Sequence, residues 1–448
     1  MRLETRKLLD RSFTGTGVLA IVLMAAALVL LLAPMFVRGF GAICFTATIE
    51  HRRLMLERFD RGNRARVEAD MEAARAAREP VYRMMVEFEQ RLDRGDAGER
   101  RRYAPGLREL KKALSALLGP APGTPRPALM RDQYGQTRWD RAQIKLARVL
   151  YREEWDYSDP SRAGLKVMKP RAGDFAGTSI EGLFPYIEKN LDRMLIPRRT
   201  VYWQFLTDES FDSHFFGGIW PEILGTFYLT VGAMLFAIPM GLIAAIYLTE
   251  YATEGRLIGI LRTCITTLAG VPSIVFGLFG LAFFINTLKV SDSKSVLAGS
   301  MTLALMILPT VIRASEEAIR AVPATYKEAA LSLGAGRWHA VWTIILPAAL
   351  PGILTGIVIS MGRAAGETAP IIFTAAVSVG KPLALWQVFS QPTPALSWNI
   401  YNLATEHEAV DEIRHVQFGL VLTLVSLVLL LNLAAILLRA RIAKRLRG

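Results

Sequence analysis

The sequence predicts an all-α, polytopic membrane protein: six transmembrane helices, with one large, mostly helical insert between the first and the second. Three observations carry this. The chain has 448 residues, 52% of them hydrophobic, and a mean hydropathy of +0.29, with the apolar residues gathered into blocks. A block of about 18 residues with few charges is long enough to cross a bilayer as a helix. Between the first two blocks lies a polar stretch, residues 39–216, in which no segment could span. Finally, Lys and Arg collect in alternate short loops, as they do on the cytoplasmic side of membrane proteins.

The first element, residues 1–38, is a basic tail (Arg2, Arg6, Lys7, Arg11) followed by the apolar block Gly17 to Val37. The block is long for a signal-peptide core, and no small-x-small cleavage site follows it. It reads as an uncleaved helix with its N-terminus in the cytoplasm.

Residues 39–216 then lie outside, in the periplasm of a Gram-negative cell. Residues 38–216 hold 33 Lys and Arg against 26 Asp and Glu. That excess does not oppose export, because long domains translocate largely regardless of charge. The apolar spacing predicts helices over Glu50–Arg78, interrupted at Pro80, then Val81–Leu92, Leu107–Leu118, Arg141–Trp155 and Ile180–Leu195. The proline-rich run 119–127 reads as a hinge. His51 and His214 read as solvated or loop residues, and no catalytic or metal motif occurs. The insert is either a docking module or a passive addition.

Residues 217–448 form the five-helix core. The spans read Ile223–Leu248, Thr263–Asn286 with a kink at Pro272, Val296–Ile312, Pro351–Val377 and Phe418–Leu438. With six spans, the N-tail, the Glu250–Arg262 loop, the loop after the fourth span and the C-tail share one side. They hold four, two, four and five Lys or Arg. The other short loops hold Lys289 and Lys294, then Lys381 and Arg414, the last among acidic residues. The first set is therefore cytoplasmic. The net charge of +13 follows from this flanking rather than from nucleic-acid binding. Cys44 and Cys264 are too few for a disulfide framework and read as packing residues.

Two stretches carry function. In the cytoplasmic loop 323–347, Glu328, Ala329 and Ala330 are followed by Gly334, Ile344, Leu346 and Pro347. Pro323 suits a first helical turn, residues 324–333 are good helix formers, and Gly334 can end the helix left-handed. A second short helix from Arg337 towards Ile345 completes a compact knob. The alternative, much the weaker, is an ordinary cytoplasmic helical hairpin. The second stretch is Gly362-Arg363-Ala-Ala-Gly-Glu367-Thr368-Ala-Pro370 inside the fifth span. Arg363 and Glu367 are four apart, hence on one helix face. Charges there are expensive and face a cavity or a partner. A guanidinium matches the oxygens of phosphate or sulfate as a bidentate fork. The alternative is an ion pair that only fixes packing. Arg313, at the cytoplasmic end of the fourth span, is a lesser candidate beside Glu316 and Glu317.

The 328–347 pattern resembles the EAA loop of bacterial ABC importer permeases in every fixed position. The RAAGETAPIIFTA stretch resembles the signature of phosphate ABC transporter permeases of the PstA type, and the likeness covers roughly the C-terminal half and the first helix. The long insert departs from the core family. The resemblance implies a type I ABC importer permease fold and a subunit that is not itself an enzyme. Its partners would be a PstC-like permease, ATP-binding ABC subunits, an external phosphate-binding protein and bilayer lipid, with no cofactor and no nucleic acid. It implies a substrate pathway at Arg363, Glu367, Thr368 and Arg313, and ATPase coupling through Glu328, Ala329, Ala330, Gly334, Leu346 and Pro347. No phosphate-binding loop of the G-x4-G-K-[ST] type occurs. Rival readings are a permease for sulfate or molybdate, a membrane sensor with an external ligand domain, and a membrane enzyme. The short C-tail disfavours the sensor. The scarcity of clustered His, Glu and Asp in the spans disfavours the enzyme.

Overall fold

The computed structural model describes residues 3–125, 127–156, 164–407 and 409–447; Arg2 of the basic tail, Arg126 of the proline-rich run and Glu408 lie outside them. The chain divides into two units, one made of Met1–Ala42 with Gln204–Gly448 and the other of Ile43–Trp203.

The second unit begins and ends on one ribbon. Strand β1 (Cys44–Ala47) pairs antiparallel with β4 (Arg198–Val201), Cys44 opposite Val201. Between them run helices Ile49–Phe59, Arg64–Arg94, Ala97–Leu118, Trp139–Leu150 and Leu183–Leu195. A hairpin, β2 (Tyr151–Asp156) and β3 (Leu165–Pro170), follows the fourth, so the helix expected to reach Trp155 stops at Leu150. The core is built from stripes at helical spacing: Val81, Met85, Phe88 and Leu92 meet Leu107, Leu110, Leu114 and Leu117, closed by Ile187, Leu191 and Met194. This stripe explains why Pro80 does not interrupt Arg64–Arg94. An interior proline costs roughly 3 kcal/mol, while each large apolar side chain fully buried contributes about 1.5–3 kcal/mol.

His51 is also not a solvated residue. It is 5% exposed, edge-on to Phe45 and Tyr202. Burial, and then the neighbouring Arg138, Arg52 and Arg141, push its pKa down to about 3, so the ring is held neutral. Beside it Glu50 is buried on Arg78 at 2.8 Å, and burial raises its pKa despite that arginine.

Among the described residues five helices are long and apolar enough to cross a membrane: Ser12–Ile43, Trp220–Tyr251, Val296–Arg320, Arg337–Gly366 and Val410–Arg441. The pair Arg256–Ala269 and Ser273–Thr287, bent by 100°, is apolar enough to make a sixth, as a broken span or a re-entrant loop. The expected kink at Pro272 is thus a sharp break across Gly270–Pro272. The helices overrun their apolar stretches. The fourth continues to Arg320, where Arg320 bonds Glu316 one turn back at 2.7 Å. Small residues set the spacing: a Cβ on Gly356 of the fifth span would stand 2.2 Å from Ala314 of the fourth, and one on Gly232 of the second would stand 2.3 Å from Ser300. Cys44 and Cys264 are both exposed, not packing residues.

Candidate functional site

The fifth span ends at Gly366, not at Val377. Pro370 has no N–H for the carbonyl of Gly366, and its ring would clash there, so a continuous helix is blocked at that residue. Glu367 takes an extended conformation (φ −75°, ψ 134°), and a six-residue helix, Ala369–Thr374, restarts behind Thr368. The expected arrangement of Arg363 and Glu367 on one helix face is therefore corrected: Arg363 sits in the last helical turn, Glu367 just beyond it. The two still meet, Nε to Oε1 at 3.4 Å. That distance is long for a hydrogen bond. Glu367 is the one polar partner of Arg363 among the described residues, and the arginine side chain is 42% exposed against 21% for the glutamate. A loosely paired, open guanidinium in an apolar helix can trade its carboxylate for the oxygens of an anion.

Gly362 brings the sixth span close to this turn: a Cβ there would lie 3.6 Å from Val428 and 3.8 Å from Asn432 Nδ2. Thr368 caps the restarted helix without a side-chain hydrogen bond. Arg313 belongs to a different group. Its guanidinium bonds Thr266 Oγ1, and it lines a cavity of about 190 Å³ with Arg262, Ile265, Glu316, Glu317 and Arg320. Glu316 is taken by Arg262 and Arg320 rather than by Arg313.

The 323–347 stretch folds as a knob. Pro323 precedes helix Ala324–Ser332. Gly334 has φ +83°, its N–H bonds Leu331 O at 3.0 Å, and Ala335 N–H bonds Ala330 O at 3.1 Å. These are the two bonds of a Schellman ending. The second helix does not stop before Pro347. Arg337–Ala340 passes through a wide turn, Val341–Ile345, directly into Leu346–Gly366. Leu346 and Pro347 are thus part of the fifth span, which makes the knob continuous with the helix that carries Arg363. Lys327 adds a tie to Glu250 at the end of the second span, 2.5 Å. Leu333 (90%) and Trp338 (64%) stand exposed on the knob.

Sequence reading missed a buried polar cluster. Glu222, in the first turn of the second span, is 0% exposed and His214 is 3%. Glu222 Oε1 meets His214 Nε2 at 2.8 Å and accepts from Asn399 Nδ2 at 3.1 Å. His214, expected to be solvated or in a loop, does lie in a loop, one in which Asp212, Ser213 and His214 all have positive φ, but its side chain is buried there. A lone Glu after Trp-Pro carried no signal, because its partners come from 8 and 177 residues away.

A family model described as the binding-protein-dependent transport system inner membrane component matches residues 237–448. The chain is 35% identical over 274 residues to the probable ABC transporter permease protein YqgI of Bacillus subtilis, covering 59% of this chain and 90% of that protein. It is 36% identical over 249 residues to the phosphate transport system permease protein PstA 1 of Mycobacterium tuberculosis, covering 56% and 78%. Among solved structures, the MetNI methionine ABC transporter in inward facing conformations aligns with 50% of this chain and 94% of its own at 17% identity, with a TM-score of 0.39.

Proposed function

The chain belongs to the family of binding-protein-dependent transport system inner membrane components, and from that premise we propose that it is the phosphate-conducting permease of an ATP-driven importer. As a member it is a multi-pass membrane transport subunit, not an enzyme. The observation that carries the phosphate reading is the loosely paired Arg363 at the broken end of the fifth span, in a chain 36% identical to a phosphate transport system permease. Arg363 presents the anion fork, Glu367 is the counter-charge that the anion displaces, and Thr368 lies on the same path. Arg313 serves the cytoplasmic end of the path.

The knob is read as the coupling element. Glu328, Ala329 and Ala330 lie on its first helix, Gly334 turns it, and Leu346 and Pro347 hand its motion to the fifth span. ATP-binding subunits would seat on the exposed Leu333 and Trp338 face, on a side that holds both chain termini. A PstC-like permease completes the pore, and an external binding protein delivers phosphate on the opposite side, where residues 39–216 extend.

The test is ATP hydrolysis by the complex reconstituted with its permease partner, ATPase and binding protein. Stimulation by phosphate and not by sulfate is the expected result. Stimulation by sulfate or molybdate instead would keep the mechanism and overturn the substrate. An intact complex stimulated by none of them would overturn the importer reading.

A further inference from the structure

The buried cluster around Glu222 is joined to the Arg363–Glu367 site through one short helix, Leu396–Thr405. Three hydrogen bonds fix the first turn of that helix. Leu396 N–H donates to Thr226 Oγ1 at 2.8 Å, and the Thr226 hydroxyl in turn donates to the Glu222 carbonyl at 2.8 Å. Asn399, 0% exposed, donates through Nδ2 to Glu222 Oε1 at 3.1 Å. Ser397, between them, donates through its hydroxyl to the main-chain carbonyl of Glu367 at 3.0 Å.

That last bond falls at the residue where the fifth-span helix is interrupted. Pro370 blocks the helical ladder there, so the extended Glu367 is free of helical restraint. Ser397 supplies a restraint from outside the span, and Ser397 is itself held by its neighbours' bonds to the second span. The Glu222 end is over-determined in the manner of a fixed anchor. Its carboxylate is closed off by His214 at 2.8 Å, on a loop with three successive left-handed residues at φ 46°, 53° and 72°. Backbone held in sparsely populated regions persists only where its surroundings enforce it, and clusters at functional sites.

We propose that Glu222 is a positioning residue for the Arg363–Glu367 site: through Asn399 it fixes the helix whose Ser397 holds Glu367 at the break in the fifth span. A functional consequence for phosphate rests on the reading given under Proposed function; the structural link does not.

Hydrogen exchange on the purified full-length chain in lipid nanodiscs tests the link without any partner. With Glu222→Leu, amides of 366–376 should exchange about fivefold faster, the scale of one lost hydrogen bond, together with those of 396–405. Glu222→Gln keeps an acceptor for both donors and should exchange like the parent. Should Glu222→Leu fail to fold, Ser397→Ala removes only the last bond and should loosen 366–376 alone. Loosening of 396–405 with 366–376 unchanged in Glu222→Leu, or no change at 366–376 in Ser397→Ala, would overturn the proposal. In the assembled transporter, phosphate uptake by Glu222→Leu and Glu367→Gln forms a double-mutant cycle. If Glu222 acts through Glu367, the double variant should be no slower than Glu367→Gln alone. Losses that multiply mean a separate, merely structural effect and overturn the role. Normal uptake by Glu367→Gln, with the exchange result intact, would instead remove Glu367 from the phosphate path and leave the link standing.

Discussion

At the scale of single residues, the guanidinium of Arg363 is the most exposed test. Replacing it by Ala removes both the charge and the fork. A hydrogen bond to a charged group is worth about 1.5–3 kcal/mol, so uptake per assembled complex should fall at least about tenfold. Lys restores the charge without the planar fork and should recover only part of the loss. Normal uptake by Arg363→Ala would remove it from the path. His51 gives a second test, in pH. Its folded pKa, about 3, lies below the ordinary histidine value near 6.5. The stability it contributes is complete above pH 6.5 and is lost as pH falls from there towards 3, because the unfolded chain takes up a proton that the folded chain refuses. Protease resistance of residues 44–203 should therefore decline over that window, and His51→Gln should flatten the decline. An unchanged profile would mean that other groups govern acid stability. Neither His51 nor His214 could be placed from sequence. Both read as solvated or loop residues; His214 does lie in a loop, but both rings are buried, against partners that include the distant Tyr202 and Asn399. The 363–367 pair was legible because a charge in an apolar block stands out locally.

Elements were more legible than their ends. The stripes of the insert and the apolar blocks follow the 3.6-residue period, so the helices could be found. Their limits turned on competition that a local pattern does not show. Pro80 is overridden by the packing of Val81, Met85 and Phe88, whereas Pro370, inside the expected fifth span, wins, and the helix ends at Gly366. The knob's turn was legible, because its glycine has a conformational reason. Gly334 sits at φ +83° with no atom near enough to meet a Cβ. An Ala there would meet no clash, only the left-handed penalty of roughly 1–2 kcal/mol. Gly334→Ala should therefore leave membrane assembly intact while lowering phosphate-stimulated ATP hydrolysis several-fold. Gly334→Asn should do less, since Asn tolerates that conformation. Equal coupling in all three proteins would show that the knob's turn does not transmit ATPase closure.

For the whole molecule, the question is whether the insert takes part in transport. Each unit has a hydrophobic core of its own: among the described residues, one cluster is made of buried residues from Val81 to Leu195 and another of buried residues from Leu229 to Ala395. The insert enters and leaves through a single ribbon, with Cys44 opposite Val201 and Tyr202 N–H on Ile43 O at 2.7 Å. Two strands joined so closely can be reconnected by a tight turn such as Asn-Gly, whose twist suits an antiparallel pair. Replacing residues 45–200 with such a linker asks the chain to close a gap that β1 and β4 already span. The Arg363–Glu367 pair, the knob and the Glu222 cluster all draw on residues outside the excised stretch. The shortened chain should therefore assemble and move phosphate at a rate within about twofold of the parent, the spread of a surface change worth no more than about 0.5 kcal/mol. Uptake and assembly must be measured on the same preparation. Full assembly with uptake lost would place residues 45–200 in the delivery of phosphate to the pore. Full assembly with normal uptake, but a raised requirement for binding protein, would confine the insert to docking.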